Sequence, residues 1–160
     1  MGLPLVPLSD DDLVLLINYS VLPGWLVLAF CPRWRHAPAV SMGVIVAYCV
    51  LYLLLLVGSL SDGEPLPDGA GITDLASLLQ LFADRGVLLA GWAHFTGEDL
   101  LVGRFIVLDA QQAGLPHLVV VWLLPVTLMA GPVGLGLYLL VVKPIGCAAG
   151  LHTRASTAQG

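Results

Sequence analysis

The sequence predicts an all-α integral membrane protein: a four-helix bundle of spans with a short amphipathic interfacial helix between spans two and three. Three observations carry this fold class. Hydrophobic residues make up 58% of the 160 residues, charged residues only 11%, and the mean hydropathy is +0.94, whereas a soluble domain carries about a quarter charged residues. Four apolar stretches come close to or exceed the roughly 20 residues that cross about 30 Å of hydrocarbon. The breaks between them gather proline, glycine and charge.

The same composition excludes other classes. The net charge is −5, and the basic residues Arg33, Arg35, Arg85, Arg104, Lys143 and Arg154 form no run that would track phosphates, so no nucleic-acid partner is expected. Cys31, Cys49 and Cys147 lack any metal-binding or disulfide spacing and read as small apolar residues. The first charges are Asp10, Asp11 and Asp12 rather than a basic leader, so the first hydrophobic segment is expected to stay in the membrane.

Taken in order, residues 13–30 form a first span, apolar apart from Asn18, Tyr19 and Ser20 and bent at Pro23-Gly24. It ends in the basic loop Cys31-Pro32-Arg33-Trp34-Arg35-His36. Residues 40–60 form an uncharged second span that carries Tyr48 and Tyr52 on one face. Ser61 to Thr73, with Asp62, Glu64 and Asp68 among glycines and prolines, is an exposed loop. Asp74 to Phe82 places apolar residues at 75, 78, 79 and 82, one face of a helix too short to span, and so lies at the interface. The third span covers 86–109. The fourth covers 118–142, interrupted by Pro125 and Gly131-Pro132, with Thr127 expected to take a carbonyl that the prolines free. Lys143-Pro144 ends it, giving a four-span domain over 1–146 and a flexible tail over 147–160. Four spans put both termini on one side, and the Lys/Arg distribution favours that side as the outside.

The third span holds the chemistry. Within the run Gly91 to Arg104 lie His94, Glu98, Asp99 and Arg104, and charge at bilayer depth is costly unless it serves a partner or a cavity. At about 100° per residue, Glu98 falls about 40° from His94 while Asp99 and Arg104 point elsewhere. Polar groups on several faces imply protein on several faces, which would make this the central helix. His94 and Glu98 at i and i+4 suit a shared proton or two metal ligands. No second histidine lies in a span to complete a metal site, so no metal is expected. A carboxylic acid in an apolar slot suits protonation of an apolar substrate. Asp99, His94 and Glu98 are thus the catalytic candidates. Arg104, Trp92, Asn18, Gly103 and Tyr48 are the substrate-binding ones. Plainer readings stand beside each: His94 as a packing residue, Arg104 snorkelling to the interface near Asp109, Trp92 as packing, and the whole run as an ion pair that locks helices.

Trp92-Ala93-His94, then Asp99-Leu100-Leu101-Val102-Gly103-Arg104-Phe105-Ile106, then Gly131-Pro132-Val133-Gly134-Leu135 with Tyr138-Leu139, resembles the abscisic-acid-deficient-four-like family. Gly71 to Phe82 and Asn18 to Trp25 are similar too, so the resemblance covers most of the chain. The family comprises small four-helix membrane proteins of plants and bacteria, and its plant member is required to make neoxanthin from violaxanthin in plastids. By position, the resemblance makes His94, Asp99, Gly103 and Arg104 the shared polar motif. Glu98, where the family is typically phenylalanine, and Gly97 depart from it, which points to a different substrate. No Arg/Ser-rich transit peptide precedes the first span, so the expected location is a bacterial plasma membrane.

The resemblance implies a reaction in which violaxanthin becomes neoxanthin by epoxide protonation, ring opening and proton loss to an allene; isoprenoid cyclisation needs the same acid, base and apolar slot, and no cofactor is expected for either. The expected function is therefore a membrane isomerase or intramolecular lyase/cyclase acting on a carotenoid or other isoprenoid. A variant using Asp10-Asp11-Asp12 on a diphosphate lacks basic partners. The competing expectation is a non-catalytic subunit that binds carotenoid or lipid or stabilises a partner enzyme, with a homodimer or partner completing a small pocket. A proton pathway is disfavoured because the polar residues occupy one helix.

Overall fold

The N-terminal helix follows from its acids. In the computed structural model of the chain, which describes residues 8–61 and 65–150, α1 (Asp10–Ser20) opens with Asp10, Asp11 and Asp12 at the positive end of the helix dipole. The Asp12 N–H donates to Ser9 Oγ at 3.2 Å, a local cap. Helix α2 (Leu22–Phe30) begins one residue later. The interruption falls at Val21 rather than at Pro23-Gly24, because a proline is tolerated in the first turn but removes an i→i−4 bond further in.

Helix α3 (Ala37–Ser61) is 25 residues without a charge, and its buried Ser41 hydroxyl donates back to the Ala37 carbonyl at 2.9 Å. Of the acidic loop before α4, positions 62–64 lie outside the described residues. Helix α4 (Leu75–Ala83) starts at a reciprocal cap: the Ser77 N–H donates to Asp74 Oδ1 at 2.9 Å and the Asp74 N–H to Ser77 Oγ at 3.2 Å. The Ser77 N–H, and after it the Thr73 hydroxyl, hold the Asp74 carboxyl below its ordinary value. No residue of α4 is buried, and Leu75, Leu78, Leu79 and Phe82 are all exposed.

Helix α5 (Arg85–Gln112) is 28 residues, about 42 Å at 1.5 Å per residue. Asp84 secures its start, accepting from the Val87 N–H at 2.8 Å and from the Ser59 hydroxyl at 2.7 Å. After α6 (His117–Val120) and α7 (Leu123–Met129) the helix breaks at Ala130, whose φ of −159° and ψ of 79° are not helical. It resumes as α8 (Gly131–Leu137), a π-helical turn (Tyr138–Val142) and α9 (Lys143–Ala148). The sequence reading of one interrupted span over 118–142 is thus corrected: Gly131–Ala148 is the long apolar segment and His117–Met129 a shorter one. Pro132 and Pro144 both sit in first turns, so Lys143-Pro144 does not end the helix as expected. Thr127 donates to its own i−4 carbonyl, Leu123, at 2.8 Å. The Val121 carbonyl that Pro125 cannot reach accepts instead from the Leu124 N–H at 3.2 Å. Residues 151–160 of the expected tail lie outside the described residues.

Among the described residues all regular structure is helical, and three helical segments, Asp10–Phe30, Ala37–Ser61 and Gly131–Ala148, are long and apolar enough to cross a membrane. The described residues fall into two compact units, residues 8–20 with 46–61 and 65–97, and residues 21–45 with 98–150. The first buries Leu13, Ile17, Tyr48, Leu55 and Ala93. The second is built on a cluster of Ile106, Ala110, Leu115, Val120, Leu123, Tyr138 and Val142.

The expectation that α5 is enclosed on several faces is corrected by its burial pattern. Leu88, Phe95, Leu101 and Phe105 are exposed along it, and His94 and Glu98 are exposed as well. A helix in lipid is free to leave an apolar stripe uncovered by protein, because hydrocarbon solvates it as well as a core does.

Candidate functional site

The eight site residues predicted from sequence divide between the two units. Asn18, Tyr48, Trp92 and His94 belong to the first; Glu98, Asp99, Gly103 and Arg104 belong to the second.

In the first unit, the Trp92 indole N–H donates to Asn18 Oδ1 at 2.9 Å, and both residues are exposed. That bond satisfies the polar end of a side chain whose ring lies open. The Thr96 hydroxyl donates to the Trp92 carbonyl at 2.8 Å. The His94 ring rests against Tyr52 with centroids 5.4 Å apart at 41°, and against Phe95 at 5.8 Å. Tyr48 is 4% exposed; its hydroxyl donates to the Ile17 carbonyl and lies 2.9 Å from Ser20 Oγ. A phenol so engaged ties α3 to α1 as well as offering a polar edge.

In the second unit, Asp99 is half-buried and its Oδ1 accepts from the Gly131 N–H at 3.1 Å. Gly131 opens α8, so the carboxylate takes the one N–H that this helix start leaves free, since Pro132 has none and the Val133 and Gly134 N–H groups bond the Ala130 carbonyl. A Cβ at Gly131 would overlap Asp99 Oδ1, which explains the glycine. Gly103 is the other close approach: a Cβ there would lie 2.5 Å from the Trp25 ring. Arg104 forms no ion pair with Asp109; its Nε reaches toward the Pro38 carbonyl at 3.5 Å, in the first turn of α3. Glu98 precedes Asp99 on the exposed side of α5.

Two features were not legible as site candidates. The indole N–H of Trp25, a residue 6% exposed, has no acceptor in the structure, and a buried unpaired donor costs about 1–3 kcal/mol. Asp109 accepts from the buried Tyr138 hydroxyl at 2.5 Å, while Lys143 Nζ lies 2.7 and 3.0 Å from its two oxygens. Residues 138 and 143 are five apart, which on an α-helix separates them by about 140°. Here the Lys143 N–H bonds to the Tyr138 carbonyl, and this i→i+5 π-helical turn brings both onto one carboxylate. Nothing in the spacing announces such a turn. Among the described residues no three His, Cys, Asp or Glu side chains converge as metal ligands.

Comparison with known proteins adds one result to this geometry. The family model described as ABA DEFICIENT 4-like matches residues 13–138. No curated protein and no solved structure matches the chain.

Proposed function

The chain belongs to the ABA DEFICIENT 4-like family, and on that premise we propose that it is a multi-pass membrane enzyme that isomerises or cyclises a carotenoid or other isoprenoid by proton transfer. In this reading α5 is a fourth span beside the three apolar ones, the four form a bundle, and α4 lies in the bilayer interface with its exposed leucines in the acyl region. The membrane is a bacterial plasma membrane, with the termini outside and the Arg33–Arg35 loop inside.

The observation that carries the catalytic reading is the Asp99–Gly131 hydrogen bond. It joins the Asp-Leu-Leu-Val-Gly-Arg run to the Gly-Pro-Val-Gly run, two segments 32 residues apart, at one half-buried carboxyl. Oδ1 is held by a backbone donor, which leaves Oδ2 as the oxygen from which a proton is given. Asp99 or its neighbour Glu98 protonates an alkene carbon or epoxide oxygen; a cation develops on the substrate; loss of a proton from an adjacent carbon returns it to the conjugate base. The product is an isomer, so no electrons enter or leave. His94 relays the proton along α5, and Arg104 orients a polar end of the substrate. The exposed Trp92 and Asn18 border the substrate chain, while Gly103, covered by Trp25, and the buried Tyr48 back the helices that present them.

A second reading, a non-catalytic carotenoid- or lipid-binding subunit, is favoured by the same bond seen differently, since Asp99 holding the start of α8 is a packing role. Expression in a carotenoid-producing host, with chromatography of extracted pigments, separates the two. A new product that disappears in Asp99→Asn supports the enzyme; bound pigment without conversion supports the subunit. Full activity in both Asp99→Asn and Glu98→Gln removes the acid assignment.

A further inference from the structure

Outside the polar run, the second unit carries an open-mouthed cavity of about 610 Å³, walled by Phe30, Pro32, Trp34, Pro116 and Leu118 with Arg33 at its edge. Its size is in the range of small-ligand sites. Phe30 is 78% and Leu118 83% exposed, so the walls are apolar surface without a protein cover. The loop that forms one wall is pinned: Gln111 Nε2 donates to the Pro32 carbonyl at 2.8 Å, His117 Nε2 bonds the Ala29 carbonyl at 2.9 Å, and the Trp34 N–H bonds the Cys31 carbonyl at 3.0 Å. The Trp34 ring meets His36 edge-on at 5.1 Å.

Charge says what belongs there. Arg33 and Arg35 are exposed, and no acidic residue occurs between Asp12 and Asp62. Asp109, the one acid in the part of α5 from Leu100 to Gln112, is already engaged by Lys143 and Tyr138. In a chain of net charge −5, this is a local excess of positive charge. The loop joins the two apolar segments Asp10–Phe30 and Ala37–Ser61, which places it at the depth of lipid headgroups.

We propose that this groove is a binding site for one anionic phospholipid, its phosphate on Arg33 and Arg35 and an acyl chain lying between Phe30 and Leu118. Basic pockets at helix ends recognise acidic headgroups in this way, and Trp34 is the aromatic that anchors at the same level. The lipid is a resident, separate from any substrate handled by the Asp99 segment.

Native mass spectrometry of the full-length protein, released from vesicles holding phosphatidylglycerol and phosphatidylcholine in equal amounts, tests this. The wild type retains phosphatidylglycerol preferentially, and Arg33→Gln/Arg35→Gln lowers that preference roughly tenfold. Raising the salt concentration weakens it. Arg33→Lys/Arg35→Lys, which keeps the charge, preserves it, as does Arg85→Gln, which removes a cation from the first unit. Equal retention of the two lipids by the wild type overturns the proposal, and so does an undiminished preference in the glutamine pair or a lost one in the lysine pair. A photoreactive side chain at position 118 that captures a second copy of the chain rather than lipid overturns it as well.

Discussion

The two halves of α5 treat polar groups in opposite ways. Before Gly97, Trp92 and His94 are exposed, and the bond that holds the first of them goes to an exposed side chain of α1, Asn18. Beyond Glu98, which is itself exposed, Asp99, Arg104 and Asp109 are partly buried, and their partners are backbone at helix starts, a buried phenol and an ammonium. Exposed pairs contribute little and reorganise freely, whereas bonds to charged, half-buried groups contribute more and fix geometry. The polar groups from Asp99 onward are therefore the ones held in fixed geometry, while those before Gly97 are left on an adaptable surface.

The largest expected effect tests that contrast at its chemistry. Asp99→Asn keeps an oxygen to accept the Gly131 N–H but removes the proposed proton donor, so on that proposal pigment conversion falls by about 10²-fold or more with the fold intact. His94→Gln, in the adaptable half, costs less. Product chromatography beside circular dichroism reads both, and equal losses would break the contrast.

Packing comes next. Gly103→Leu drives a side chain into Trp25 and costs about 1–3 kcal/mol by thermal denaturation in detergent. A smaller loss follows for Tyr138→Phe, which removes one hydrogen bond to Asp109 and leaves Lys143 on it, about 1–2 kcal/mol in the same assay. Asn18→Ala, which breaks the exposed Trp92 bond, shifts stability by less than about 1 kcal/mol; a loss matching that of Tyr138→Phe would erase the distinction between the halves.

The smallest effect lies at α4. Because the Asp74 carboxyl is held below its ordinary value in the folded chain, its cap stabilises α4 fully above the ordinary carboxylate range. That contribution is lost as the pH falls through the folded-state value. The protection of the Leu75–Leu78 amides relative to their intrinsic exchange rates falls on acidification in the wild type and holds over the same window in Asp74→Asn, which caps without titrating.

Much of the architecture was legible because it depends on local quantities. The span over α3 and the short helix after Asp74 follow from run length, absence of charge and apolar spacing, and the structure places helices at Ala37–Ser61 and Leu75–Ala83. The break within the last apolar stretch was foreseen near Gly131-Pro132 and falls at Ala130. The continuation of that helix through Lys143-Pro144 was not foreseen, since it rests on a π turn whose stabilising partner, Asp109, comes from α5. Asp99 was recognisable as a charge inside an apolar run, while its bond to Gly131 joins residues 32 apart and left no mark on either segment alone.

By itself, the sequence determined an all-helical membrane chain, the short helix that begins after Asp74, and the family to which it belongs. These follow from hydropathy, capping and motif, which act over a few residues. Only the tertiary structure decided that Arg104 serves the start of α3 rather than Asp109, that His94 and Glu98 lie on an exposed side of α5, and that a basic loop borders an open apolar groove. Each of these depends on which helix face meets another helix, and pairing between distant segments follows from packing across the whole chain.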